Sequence, residues 1–301
     1  MQLEAAVRLF LDSLEAENRS PNTMRAYARD LKDFVAAAGP QRELAELQPG
    51  EIRAHFRLLL EKGLARASAV RKHAALKSFY RWASAEGHVP ENILAGMPMR
   101  RRPRALPFVP SMSQTRLLLG RSLEAKVSIP HRARVVLELL YDCGLRISEV
   151  VALNVQDINL AGRVILVNGK GNKQRYVPFG NLLRQALEKY LPTKDKLQSG
   201  AARREPAALV VGREGRLTVR QVWRIVREAG EKMGLPRALH PHSLRHACAT
   251  DMLNRGANLS AIQTLMGHER LTTTQSYAHI STARVLQVYK AAHPMERKGA
   301  A

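Results

Sequence analysis

Four short clusters hold the side chains best suited to chemistry. In Gly144-Leu145-Arg146-Ile147-Ser148-Glu149 a glycine ends one helix and Arg146 opens the next. Its guanidinium and the free backbone N–H groups there can face one anion, and Glu149, a helical turn on, can orient it. On these residues alone the pattern equally describes a surface ion pair. In Asn168-Gly169-Lys170-Gly171-Asn172-Lys173 the glycines let the backbone approach a ligand closely. A lysine at such a hairpin tip can deliver a proton or touch a base edge, or simply belong to a basic turn.

The third cluster is His240-Pro241-His242-Ser243-Leu244-Arg245-His246. With a helix starting near Pro241, His242 and Arg245 share a face and their heads converge. His242 and His246, four apart, would suit a metal, but the H-E-x-x-H form or a comparable acidic or thiol partner is missing, so no metal site is expected. The fourth cluster is Leu265-Met266-Gly267-His268-Glu269, followed by Thr272-Thr273-Thr274-Gln275-Ser276-Tyr277-Ala278-His279. Thr272 and Gln275 have capping-box spacing, which puts Tyr277 on a short helix as a packing residue or a nucleophile. Two arginines, two histidines, a lysine and a tyrosine, without a carboxylate pair, form a set suited to an anionic substrate.

Helices must carry most of these groups. Leu3, Val7, Phe10, Leu11 and Leu14 recur at helical spacing. Ser20-Pro21 reads as an N-cap and first helical proline before a second stripe, Tyr27, Leu31, Phe34 and Val35, that ends near Gly39-Pro40. A third helix is predicted from about Pro49 to Gly63 and a fourth from about Ser68 to Gly87. Arg66 just before the fourth, then Arg71, Lys72, Lys77 and Arg81, make it either a solvated face or a helix that tracks phosphates. Residues 97–110 hold four prolines and Arg100, Arg101, Arg102 and Arg104, which excludes a helix or central strand and reads as an extended basic linker. The expected organisation is a helical domain at 1–96, this linker at 97–110, and a second domain at 111–301. In that second domain helices are predicted at about 113–124, 131–142, after Gly144, 181–191, 218–233, 243–254, 260–266, 272–278 and 281–291. Two strands, Arg163–Val167 and Gln174–Pro178, flank the Lys170 turn.

The 301 residues carry 48 Lys and Arg against 26 Asp and Glu, a net charge of +22. The first 96 residues hold only +2 of it, residues 97–106 hold +4, and the remainder +16. With 45% hydrophobic residues the chain is globular, so the excess is a field for a polyanion, and nucleic acid is the commonest one. Cys143 and Cys248 lie far apart with no C-x-x-C spacing, which argues against a disulfide framework and fits a reducing cytoplasm. The first residues mix acid and base, and no apolar run approaches the length of a membrane span, so secretion and a membrane partner are not expected.

In chain order, Arg146, Lys170, His242 with Arg245, His268 and Tyr277 resemble the signature of the tyrosine site-specific recombinases, the phage-integrase family. The helical first hundred residues look like that family's core-binding module, so the resemblance spans nearly the whole chain. Gly169-Lys170-Gly171-Asn172-Lys173 and Leu265-Met266-Gly267-His268 look like the Xer group within it, as does the terminal Val288-Tyr289-Lys290-Ala291-Ala292-His293-Pro294. Glu269-Arg270 departs from the small or polar residues usual after the second histidine, which bears on a loop beside the site. The resemblance implies a mostly α fold with a small β-sheet: a four-helix, SAM-like core-binding domain, then an α+β catalytic domain.

The resemblance also implies a reaction. Arg146 and Arg245 would clamp the scissile phosphate and offset the charge that builds in the transition state. Tyr277 would attack phosphorus to give a 3′-phosphotyrosyl link, and Lys170 would protonate the departing 5′-oxygen. His242 would accept the tyrosine proton or hold phosphate, and His268 would donate to a phosphate oxygen. No cofactor and no divalent metal is called for. Expected partners are a double-stranded DNA recombination site, three further subunits in a tetramer, a second Xer recombinase and a DNA translocase. The segment from about Ser281 to Ala291 would dock into a neighbouring subunit. DNA contacts are expected from Arg66, Arg71, Lys72, Lys77, Arg81, Arg101, Arg102, Arg104, Lys173 and Arg175. Another phage- or plasmid-type integrase, a non-catalytic DNA-binding protein on the same scaffold, a type IB topoisomerase and a metal-dependent nuclease or hydrolase are the competing readings.

Overall fold

The stripe Leu3, Val7, Phe10 and Leu14 forms one buried face of α1 (Leu3–Ala16) in the computed structural model, which describes residues 1–17, 19–99, 108–120, 129–169, 173–197 and 205–267. Ser20 caps α2 (Pro21–Ala38) by accepting the Thr23 N–H at 3.2 Å, with Pro21 in the first turn. Then come α3 (Pro49–Glu61) and α4 (Arg66–Ala85). The last starts two residues earlier than periodicity suggests, so Arg66 lies on the helix and not before it. Phe10, Leu31, Phe34, Ile52, Phe56, Leu76, Phe79 and Tyr80 fill the core of this unit, and the Phe10 and Phe79 rings meet edge to face at 5.6 Å. Two polar residues, Asp30 and His73, are also buried in it.

The chain divides into two compact units, Met1–Ala105 and Leu106–Ala301. The second is built around α6 (His131–Tyr141), every residue of which is buried from Val135 to Tyr141. Around α6 lie α8 (Asn181–Tyr190), α9 (Val219–Lys232) and α10 (Pro241–Asn254), with the short α5 (Met112–Leu118), α7 (Ile147–Ala152) and α11 (Leu259–Met266) completing the unit's described helices. A stretch buried on every side is central to its unit, and the one acid within it, Glu138, pairs with Arg134.

A three-stranded antiparallel sheet follows α7, in the order β1 (Ile158–Asn159), β2 (Val164–Asn168), β3 (Gln174–Pro178). Asn168 pairs with Gln174, and the Gly169 N–H donates to the Lys173 carbonyl at 2.8 Å. β1 and a small hairpin, β4 (Val211–Gly212) with β5 (Gly215–Arg216), were not expected from the sequence; two-residue strands are too short to show alternation. The fold is thus mostly helical with small antiparallel sheets. The helices expected at 272–278 and 281–291 lie outside the described residues.

Candidate active site

Gly144 makes the first turn of the site. It sits at φ +58, left-handed backbone that favours glycine, and a Cβ there would stand 3.0 Å from the Met266 Cε. The chain then enters α7 with Arg146 as the residue before its first turn. The Arg146 N–H donates to Glu149 Oε2 at 2.8 Å, and its Nη1 donates to Oε1 at 2.9 Å. Glu149 therefore orients the guanidinium, as its position one turn on suggests.

Arg245 enters from the second turn of α10 and is buried. Its Nη1 donates to the Gly144 carbonyl and its Nη2 to the Met266 carbonyl at 2.7 Å. Arg146 Nη2 donates to the Gly267 carbonyl. Arg175, on β3, donates from Nε to the Leu265 carbonyl at 3.0 Å and places Nη1 and Nη2 on Glu149 Oε1 and Oε2, both at 2.9 Å. Three consecutive carbonyls at the end of α11 thus each receive a different guanidinium. Those carbonyls lie at the negative end of the helix dipole, so they suit cations. Gly267 closes α11 in left-handed backbone at φ +63, and a Cβ on it would press on the Arg175 guanidinium at 3.1 Å.

The electrostatics follow from this crowding. Burial pushes the Arg245 pKa down to about 10, with the nearby charges of Arg146 and Arg175 adding to the fall and Glu149 opposing it. Arg245 is still a cation at neutral pH. Burial acts to raise the Glu149 pKa, but its bonds to Arg175 and Arg146 outweigh that and hold the carboxyl below its ordinary value. Three guanidiniums against one carboxylate leave an excess of positive charge, and a bound phosphodiester would offset it. Beneath them, Cys143 and Cys248 are buried thiols whose pKa values burial raises, so they are packing residues and not nucleophiles.

His242 and His246 are exposed on the first turns of α10, and among the described residues no cluster of His, Cys, Asp or Glu could hold a metal. Lys170, His268 and Tyr277 lie outside the described residues, as do Arg101, Arg102 and Arg104.

Three of the residues expected to contact DNA pair with carboxylates inside the fold. Arg175 spends its guanidinium on Glu149 and Leu265, because β3 runs past the buried carboxylate. Arg71 pairs with Asp30, and Lys72 with Asp33 and Asp30, because α2 packs against that side of α4. Arg66, Lys77, Arg81 and Lys173 are exposed. On α4, positions 66, 77 and 81 fall within about 60° of one another at 3.6 residues per turn, a single stripe.

The sequence reading passed over α9. Its outer face exposes Arg220, Trp223, Arg224 and Arg227, and the Trp223 ring packs at 4.7 Å on His240, two residues before His242. The spacing of those arginines around an exposed tryptophan was the available signal.

The family model described as "Phage integrase family" matches residues 114–284, and "Phage integrase, N-terminal SAM-like domain" matches residues 7–87. The chain belongs to the phage integrase family. Its relatives include proteins named tyrosine recombinase XerC from Pelobacter propionicus, 38% identical over 97% of this chain and 96% of that one, and from Chromobacterium violaceum, 34% identical over 98% and 97%. The same fold is seen in the Tn1549 transposon integrase in complex with transposon right end DNA (TM-score 0.71, 18% identity, 95% of this chain and 98% of that one). It is also seen in a lambda integrase tetramer bound to a Holliday junction (TM-score 0.68, 19% identity, 93% and 81%). Among the described residues no helix is long and apolar enough to cross a membrane.

Proposed function

We infer that the protein is a site-specific tyrosine recombinase that cuts and rejoins DNA at a recombination site, resolving chromosome dimers as the names of its XerC relatives suggest. The observation that carries the reading is the pairing of Arg146 and Arg245 through successive carbonyls of α11, with more positive charge than Glu149 balances. Two guanidiniums held so can take the two non-bridging oxygens of a phosphodiester, and their placement before the reaction is what stabilises charge developing on phosphorus.

The Tyr277 oxygen attacks phosphorus, the bond to the 5′-oxygen breaks, and Lys170 gives that oxygen its proton. The phenolic proton passes to His242, or His242 holds phosphate while another base accepts it; His268 donates to a phosphate oxygen. The 3′-phosphotyrosyl ester keeps the energy of the broken bond, so attack by a 5′-hydroxyl from a second strand reverses the step without ATP. DNA is held by Arg66, Lys77 and Arg81 on one unit, by Lys173 and Arg220 on the other, and by Arg101, Arg102 and Arg104. The working assembly is a tetramer on DNA, with a second Xer recombinase and a DNA translocase as partners and the segment from 281 to 291 docked on the neighbouring subunit, in the cytoplasm.

Incubation with a nicked suicide substrate carrying such a site tests this. The wild type is expected to form a covalent protein–DNA adduct at Tyr277 that persists in EDTA. Tyr277→Phe should bind the DNA and form none. Binding without an adduct in the wild type would leave a DNA-binding accessory protein, and loss of the adduct in EDTA a metal-dependent enzyme.

A further inference from the structure

Resting on that reading of the site, we propose that Arg175 is a positioning residue for the phosphate clamp: it holds Glu149 and the last turn of α11 in the one arrangement that aims Arg146 and Arg245 together. Its bonds support this atom by atom. The two terminal nitrogens bind both oxygens of Glu149, whose Oε1 also holds Arg146 Nη1 and whose Oε2 accepts the Arg146 N–H. Its Nε binds the Leu265 carbonyl, the first of the three that end α11; the next holds Arg245 and the third holds Arg146. Arg146 is therefore one hydrogen-bonded group away from Arg175, and Arg245 is bound to the next carbonyl of the same helix end. The Arg175 side chain is only 15% exposed and each of its three nitrogens holds one of these bonds, so it acts through Glu149 and α11.

A bidentate pair cannot be replaced by a point charge. Lysine at 175 would keep the charge but reach one oxygen of Glu149 and lose the α11 carbonyl or the carboxylate. Without the strut, the Glu149 carboxylate can rotate, and the end of α11 loses one of the three cations that fix it.

The test uses single-turnover cleavage of three suicide substrates. One has an ordinary scissile phosphodiester, and one has a neutral methylphosphonate, which carries no non-bridging charge for a clamp to offset. The third has a 5′-bridging sulfur, which departs without a general acid. Arg175→Met is expected to cleave the ordinary substrate about 100-fold more slowly than wild type, the scale of a displaced reacting group. The deficit should shrink to a few-fold on the methylphosphonate and remain on the sulfur substrate, with DNA affinity unchanged. Arg175→Lys should fall between, and it carries the test if the Met variant melts below assay temperature. An equal deficit on all three substrates would mean a merely structural role, and rescue by sulfur alone would mean that Arg175 acts on the Lys170 turn; either overturns the proposal, as does full activity of either variant. Failure of the wild type to form any adduct would instead overturn the recombinase reading.

Discussion

On α4, Arg71 and Lys72 meet Asp30 and Asp33 of α2, two bases against two acids; in the second unit, Arg146 and Arg175 share the carboxylate of Glu149, and Arg245 beside them binds backbone carbonyls. Both groups are basic side chains gathered on helices and strands, and both use carboxylates brought from elsewhere in the fold. The balanced group is a strut between two helices, and nothing remains for a ligand. The unbalanced group meets its deficit with helix-end carbonyls, which are partial charges only, so an anion that arrives completes it. Local charge balance, more than the count of basic residues, separates scaffold from site.

The largest effect that would break this comparison lies in the clamp. Arg245→Ala or Arg146→Ala should lower single-turnover cleavage by about 100- to 1,000-fold while DNA binding changes little, read as adduct formed per unit time. If Arg71→Ala cost as much, the distinction would be lost.

Glu149→Gln comes next. It leaves three guanidiniums without a counter-charge, and breaking a buried ionic group in this way costs about 3–5 kcal/mol, measurable by urea denaturation. The same carboxylate sets a pH dependence. Its folded pKa lies below the ordinary value of 4.5, so its stabilisation is complete above that value and is lost as pH falls through the lower folded pKa. The variant should lack this acid limb.

DNA affinity sharpens the first unit's half of the comparison. Lys77→Gln or Arg81→Gln should each reduce the slope of log K against log salt by about 1, and Arg71→Gln should leave it unchanged, as titrations at several salt concentrations would show.

The smallest expected effect is at His73. Burial lowers its pKa from the ordinary 6.5, with Lys77 adding to the fall, while its Nε2 finds no partner among the described residues. The unfolded chain then binds more protons below pH 6.5, so the stability of the first unit should drop as pH falls from there towards the folded pKa. His73→Leu should flatten melting temperature against pH in that window.

Much of the site was legible before folding because its chemistry is local. Gly144, Arg146 and Glu149 form one turn, His242 and Arg245 another, and each spacing follows from helical geometry alone. The internal partner of Arg175 was not legible, for the opposite reason. Arg175 follows a lysine turn in a basic hairpin, and its acid partner lies 26 residues back in the sequence. Arg71 is the same case, 41 residues from Asp30. The β1 strand and the β4–β5 hairpin were missed because two residues cannot display a period of two.

From the sequence alone came the helices that bury apolar stripes, the hairpin around Lys170, the order of the six chemical groups and the excess of positive charge. Periodicity and residue chemistry are properties of neighbouring positions, and a chain displays them without folding. Which cations are spent and which are offered was decided by the tertiary structure. That depends on whether a distant carboxylate or a helix end arrives within hydrogen-bond reach, and only packing brings Asp30 to Arg71, Glu149 to Arg175, and the end of α11 to Arg146 and Arg245.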